Sequence, residues 1–391
     1  MVHTSPAIGR AARARPASPP VTEPFRKKHP VVLSLLLHPK KLANTLWLMR
    51  EASRRGVEME DLPDEVLAPR LLKKFDATPW GLVPDDQVTR EPLADPELDR
   101  AVAEATEGRW EAGAELLAST RGRWARRDEV VRALAGCAAA NQAFLRRWQE
   151  KDGSNPDLAS LRAIALVHLA WQARGSRRAA ETSAEQMAGF HRFLLQADEA
   201  VDVAAALAPE DPTPWMTRVM LARGLSYDHE RFREAWAELV ARDPHHRGGH
   251  VQALQYWCAK WHGSHELMMG FAEEAMRAHP SLAVLPMLAT EELPDREDGD
   301  DDAPWQTPVV REALEVLLPR LAGEGNAPRA VRTDRGYAIF ALTANGRHAE
   351  AVEQFRVLGA QADADPWASR EHGLMAFLQQ RAEACERAGR P

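Results

Sequence analysis

The sequence predicts an all-α protein, a stack of helix hairpins behind an irregular helical N-terminal segment. Ala, Leu, Arg and Glu dominate the 391 residues, whereas Ile and Tyr occur three times each. The abundant types are good helix formers, and the scarce ones belong to the classes that favour strands. Apolar residues recur at helical spacing along most of the chain from Asp95 onward. Prolines fall between the periodic stretches, where proline begins or ends a helix. With 45% hydrophobic residues the chain can bury a sizeable core. A repeat array escapes length-based domain counting, because each unit packs only on its neighbours.

Taken in order, residues 1–29 are rich in Ala, Pro, Arg and Ser without a period and read as a disordered basic arm. Residues 30–93 form an N-terminal helical cap and linker. Within them, 31–56 hold one or two helices broken near His38-Pro39, 63–75 hold another, and 76–93 a linker or wrapped loop. Residues 94–290 are read as helical repeats. Leu98, Ala101, Val102 and Ala105 mark one helix, Gly108 stops it, and Trp110 to Leu117 begin its partner. A third helix starts near Asp128 and a fourth ends near Gln149. Asn155-Pro156-Asp157 opens a longer one, with Asn as N-cap and Pro at the first helical position. Leu158, Leu161, Ala165 and Leu169 mark its buried stripe, Gly175 ends it, and 176–186 make a polar connection. Further helices are expected at 213–225, 229–242, 248–261 and 265–278. Residues 291–304 read as an acidic flexible loop, and 305–391 as C-terminal helical repeats.

Pro212, Pro244 and Pro280 close helices 32 and 36 residues apart. That period, close to 34, belongs to the tetratricopeptide helix–turn–helix unit. Gly346 to Phe355 (GRHAEAVEQF) resembles the second-helix core of that motif, with Gly in the tight turn, Ala at the helix contact and Phe between repeats. Gly108 to Leu117 (GRWEAGAELL) is a looser version. Ala235 departs from the pattern, lying 9 residues before Pro244 where the family expects about 12. Lys260-Trp261-His262-Gly263-Ser264, followed by Met268, Met269, Phe271 and Ala272, resembles a KW-G-S segment of a tetratricopeptide-like bacterial family. The Ala- and Arg-rich composition suits a high-GC actinobacterial source. The resemblance implies a right-handed solenoid of tetratricopeptide-like helix hairpins and no established activity.

Net charge is −7, which offers no global basic field for nucleic acid. The balance is uneven. Residues 291–302 carry eight acids against one Arg, and residues 1–30 carry six Lys or Arg against Glu23. Cys137, Cys258 and Cys385 are isolated and form no CxxC, which points away from a disulfide framework and towards a reducing cytoplasm. The apolar stretch Val31 to Leu37 is far short of the ~20 residues of a membrane span, so no membrane association is expected.

Sequence motifs supply no catalytic residue, no metal site and no cofactor. His245, His246 and His250 cluster, but Pro244 and Gly248-Gly249 place the first two in a turn with no acidic or Cys ligand beside them. They read as a solvated turn and helix surface. His265-Glu266 lacks the second His of a zincin, since Met269 stands there. Residues 295–302 lack the twelfth-position carboxylate of an EF-hand, where Gln306 stands. Walker A, nucleophile-elbow and Rossmann patterns are absent. Cys258, between Trp257 and Ala259 in an apolar helix, reads as a buried, inert thiol. Trp215, Trp236, Trp257 and Trp261 read mainly as packing, with Trp257 and Trp261 on one helix face. In the KW-G-S segment Trp261 would end a helix, Gly263 adopt the left-handed C-terminal conformation and Ser264 cap the next helix. Lys260 stays without a structural role.

The expected function is a non-catalytic interaction or adaptor module that takes a peptide or partner helix in a concave groove. The residues chosen to line it are Arg218, Arg223, Gln252, Gln255, Lys260 and Trp261, against the alternative that each is a solvated helix face. Two other readings stand beside it. One is an enzyme or biosynthetic enzyme component with a site between helices; the other is a regulator touching nucleic acid through the basic arm.

Overall fold

The computed structural model describes residues 39–72, 74–175, 182–294 and 302–389. The basic arm, the His38 break and most of the acidic stretch lie outside them. The described residues are all-α, with no strand; their only extended pairing is an isolated bridge between Thr89 and Gln361. No helix among them is long and apolar enough to cross a membrane. They fall into two compact units, Pro96–Leu225 and residues 39–95 with 226–389.

The first unit holds α3 (Pro96–Thr106), α4 (Glu111–Ser119), α5 (Trp124–Ala140), α6 (Ala143–Lys151), α7 (Pro156–Arg174), α8 (Ala184–Leu207) and α9 (Thr213–Gly224). The punctuation reads directly from sequence. Gly108 turns the chain after α3 at φ +82°. Asn155 caps α7, its side chain accepting from the Asp157 and Leu158 amides, and Gly175 ends that helix at φ +72°. α5 starts four residues ahead of the expected Asp128, at Trp124. α7 packs along α8, α5 on α7, and α8 on α9. The contact stripe of α8 is Phe190, Leu194, Ala197, Val201 and Ala204, all buried at alternating spacings of four and three. Leu169, expected in the α7 stripe, is only partly buried.

The second unit holds α1 (Pro39–Arg55) and α2 (Asp64–Leu71), then α10 (His229–Arg242), α11 (Arg247–Tyr256), α12 (His265–Ala278), α13 (Leu285–Glu291), α14 (Pro308–Ala322), α15 (Arg329–Ala344), α16 (His348–Leu358) and α17 (Gly373–Ala388). The stretch after α2 is a wrapped loop with a core role: Ala77, Leu82 and Val88 are buried in one cluster with α14, α15, α16 and α17. Polar ties fix α2 and this loop there. Asp64 accepts from His372 Nδ1 at 2.9 Å and from the Leu374 amide at 2.8 Å. Thr89 exchanges backbone hydrogen bonds with Ala360 and Ala362, and Arg381 pairs with Asp85. Gly346 sits at φ +71° in the turn before α16. Ala351 is fully buried, and Phe355 packs edge-on to Phe377 at 5.2 Å.

Several expectations are corrected around the KW-G-S segment. α11 ends at Tyr256, not near Trp261, so Cys258, Lys260 and Trp261 lie in turns beyond it. Trp257 and Trp261 are therefore not i, i+4 neighbours on a helix, although both pack on one apolar cluster. Gly263 does not use the left-handed region. A Cβ there would stand 2.0 Å from the Trp257 carbonyl oxygen, so close approach of backbone requires the glycine. Ser264 does cap α12, accepting from the Leu267 amide at 3.2 Å. Cys258 is buried outside a helix, its Sγ 3.3 Å from Met268 Sδ. His246 and His250 are buried rather than solvated. His246 Nδ1 accepts from the Gly249 amide as the α11 N-cap.

Candidate functional site

The six residues chosen from sequence divide between the units. Arg218 and Arg223 are in α9 of the first. Arg218 is held inside its own unit by Asp202 at 2.7 Å and the Asp198 carbonyl at 3.2 Å. Arg223 is buried, with its guanidinium 5.8 Å from the centre of the Trp171 ring. In the second unit Gln252 and Gln255 are buried on α11 and Trp261 is half-buried. A solvated helix face does not describe Arg223, Gln252 or Gln255.

The structure brings two of the six together. Gln255 Nε2 donates to Glu292 Oε1, and Lys260 Nζ pairs with Glu292 Oε2. Lys260, unexplained from sequence, thus has a partner 32 residues away. Glu292 is the C-cap of α13, a short helix that ends on Glu291. The side chain of Glu291 accepts from the hydroxyl of Tyr337 on α15. Residues 291 and 292 are therefore not part of a free acidic loop. One closes a helix, the other caps it, and both carboxylates are engaged. The remaining acids at 295–301 lie outside the described residues.

The electrostatics follow from this placement. Burial pushes the Glu291 carboxyl above its ordinary range, with Asp365 and Glu292 adding to the rise, while the Tyr337 hydroxyl and Arg370 oppose it. Burial also pushes the Tyr337 phenol well up, reinforced by the charge of Glu291. Trp305 stacks beside Tyr337 at 6.5 Å and lies 5.8 Å from Phe340. The exposed Arg370 places its guanidinium 4.7 Å from the Phe340 ring centre. This carboxyl–phenol pair can hold a proton between two oxygens.

Gln255 is 4% exposed, and no described residue donates to its Oε1. The amide cannot be turned over to cure this. A carboxylate only accepts, so Nε2 must face Glu292 and Oε1 must face away. A buried acceptor left unpaired costs about 1–3 kcal/mol.

A separate open cleft of about 530 Å³ lies at the turn between α15 and α16, lined by Gln306, Arg311, Glu315, Asn345 and Arg347. Arg311 donates to Asn345 Oδ1 at 2.9 Å, and Arg347 pairs with Glu315 at 2.6 Å and Glu350 at 2.7 Å. A second cleft of about 330 Å³ is walled by Asp61, Asp64, Glu65, Arg90 and Glu371. Among the described residues no group of His, Cys, Asp or Glu is arranged to hold a metal ion. The histidine cluster is used in packing instead, with His245 stacked on His279 at 3.9 Å.

Sequence reasoning missed Glu291, Tyr337 and Trp305. The pair Glu291-Glu292 stood at the head of an acidic run and took its character from the run. The available signal was the apolar stretch Leu285 to Leu288 just before it, which marks a buried helix leading into those two acids. The chain matches no protein-family model, no curated protein and no solved structure.

Proposed function

We propose that the protein is a non-catalytic interaction module of the adaptor kind, whose hairpins wind right-handed in the tetratricopeptide manner. The Gly346 turn, with Ala351 and Phe355 buried behind it, supports the hairpin reading. The observation that carries the function is the open cleft at that same turn, where Gln306, Arg311, Glu315, Asn345 and Arg347 stand beside Leu314 and Ala344. Its paired guanidinium groups and side-chain amides suit the carboxylates and backbone of an extended polypeptide. An enclosed apolar pocket, the usual seat of small-molecule chemistry, has a different character. The test is affinity capture from the native host with the full chain as bait, beside Arg311→Glu and Arg347→Glu variants of unchanged helical circular dichroism. A reproducible partner retained by the parent and lost from both variants is expected. No partner, or one captured equally by all three baits, overturns the proposal.

One observation favours the second reading, an enzyme or enzyme component. Glu291 and Tyr337 are ionisable groups in hydrogen-bond contact, both displaced upward, as acid–base residues often are. No nucleophilic cysteine accompanies them, since Cys137, Cys258 and Cys385 are all buried and burial pushes the Cys385 thiol up to about 11. A cytoplasmic location and a bacterial source remain part of the proposal.

A further inference from the structure

We propose that the outward face of α8 pairs with the same face of a second copy of this chain, antiparallel about a two-fold axis beside Leu195. The inference does not depend on the adaptor reading and concerns the other unit of the chain. It starts from what α8 leaves uncovered. Its buried stripe, Phe190 to Ala204, occupies one side of the helix. A turn of about 100° per residue brings Ala188, Arg192, Leu195, Glu199 and Val203 together on the opposite side. All five are exposed. Leu195 at 57% and Val203 at 56% are, with Leu46, the most exposed large apolar side chains among the described residues. One such side chain is ordinary on a surface, whereas two on the same face of one helix mark a contact surface.

The order of residues along this face selects the occupant. About the midpoint between Leu195 and Gln196 the positions mirror one another and the chemistries complement one another. Arg192 and Glu199 lie equally far on either side, and so do Ala188 and Val203. In a pair of helices related by a two-fold axis, residue i faces j and j faces i. Arg192 then faces Glu199 of the second copy, twice over. Ala188 leaves room for Val203 of the second copy, also twice over, and the two Leu195 side chains meet at the axis. A parallel pair would set Arg192 against Arg192 and Glu199 against Glu199, like charge on like. Within one chain these two residues stand about 10 Å apart along the helix, too far to pair with each other. Among the described residues neither has another ion-pair partner. The nearby Asp198 and Asp202 already face Arg218, so Glu199 is the uncommitted acid of this face. The contact is one helix wide and about 22 Å long from Ala188 to Val203. That is less than the ~800 Å² per partner of a standard stable interface, so the dimer is expected to be weak, with a Kd in the micromolar range. A dimer carries two copies of each binding surface on the chain, which strengthens its hold on a divalent partner.

Sedimentation velocity of the full chain from about 5 to about 500 µM tests this, because association follows mass action. The wild-type chain is expected to pass from monomer to dimer over that range. Leu195→Asp and Arg192→Glu should each weaken the dimer at least about tenfold, the first by placing two carboxylates at the axis and the second by setting Glu against Glu. Arg192→Glu combined with Glu199→Arg should return the affinity to within about threefold of wild type, since the exchange keeps unlike charges opposed. Leu195→Cys gives a second readout without a change of charge. Mild oxidation should link two chains through it, because Cys137, Cys258 and Cys385 are buried. A wild-type chain that stays monomeric at the highest concentration overturns the proposal. So does a dimer indifferent to Leu195→Asp, or a charge exchange that fails to restore what Arg192→Glu removes. If a charge variant does not fold, the Leu195→Cys chain decides, and absence of the linked dimer overturns the proposal.

Discussion

Arg127 of the first unit and Arg335 of the second are each 1% exposed, and each reaches carbonyls at the end of the preceding helix. Arg127 on α5 donates to the Leu117 carbonyl of α4 at 3.2 Å. Arg335 on α15 donates to the Leu321 carbonyl of α14 at 2.6 Å and to that of Glu324 at 2.7 Å. The carbonyls closing a helix have no intrahelical partners, so a guanidinium there satisfies several at once. The two differ in how the positive charge is met. Arg127 lies between two buried carboxylates, Asp157 at 2.7 Å and Asp211 at 2.6 Å. Arg335 is met by neutral dipoles, the two carbonyls and Gln354 Oε1 at 2.6 Å, and burial lowers its pKa. One helix closure therefore rests on ion pairs, whose partners are costly to strand, and the other on dipoles, which are cheaper to strand.

The largest expected effect tests that difference. Arg127→Met strands Asp157 and Asp211 in the interior, and breaking a buried ion pair by removing one partner costs about 3–5 kcal/mol. Arg121, 2.5 Å from Asp157, softens the loss on that side, whereas Asp211 keeps only the Thr213 amide. Arg335→Met strands neutral acceptors and should cost about 2–3 kcal/mol in total, since some find water. Urea unfolding of the full chain measures both. A loss at Arg335 equal to or above that at Arg127 would break the comparison.

Each unit also buries a histidine whose pKa is lowered, His168 on α7 and His250 on α11. Burial brings both down to about 4, with Arg132 adding to the effect at His168 and His245 and His246 at His250. The folded value lies below the unfolded ~6.5, so the unfolded chain takes up a proton first as pH falls. Stability from this source is intact above about pH 6.5 and is lost progressively down to about pH 4. The loss is on the order of 2–3 kcal/mol per histidine at the acid end. His168→Gln and His250→Gln should each flatten that part of the curve of stability against pH. Retention of the full slope in both variants would rule this origin out.

How much of this was legible in advance depends on the distance the information travels. Asn155, Gly108, Gly175, Ser264 and the Gly346–Phe355 motif act on their immediate neighbours, and each element they punctuate lies close to where the sequence places it. Gln255 and Lys260 were reachable as polar side chains expected to line a groove, Lys260 also because the KW-G-S segment gave it no structural role. Their meeting point was not, since Glu292 is 37 and 32 residues away. Arg218 and Arg223, chosen on the same grounds, found partners in their own unit instead. The ion pairs of Arg127 with Asp211 and of Arg381 with Asp85 are longer-range still. Charged residues are so common on helix surfaces that nothing local marks the few turned inward. Gly263 shows a subtler limit. A glycine before a cap reads as a left-handed stop, and only packing reveals that it answers to the Trp257 carbonyl.

The smallest expected effect compares two helix starts, one in each unit. Ser183 begins α8 with a reciprocal box: its hydroxyl accepts from the Gln186 amide at 3.1 Å, and the Gln186 side chain accepts from the Ser183 amide at 2.9 Å. Ser264 begins α12 by accepting from the Leu267 amide at 3.2 Å, with an apolar residue at the third position in place of Gln. Ser183→Ala and Ser264→Ala should each cost about 1 kcal/mol, the ordinary value of a lost N-cap. The box adds a coupling that the second start lacks. Ser183→Ala with Gln186→Ala should fall short of the sum of the single losses by about 0.5 kcal/mol, because the two side chains hold one another in place. Strict additivity there would mean that the two side chains of the box bond independently, and the first unit's helix start would then be no more cooperative than the second's.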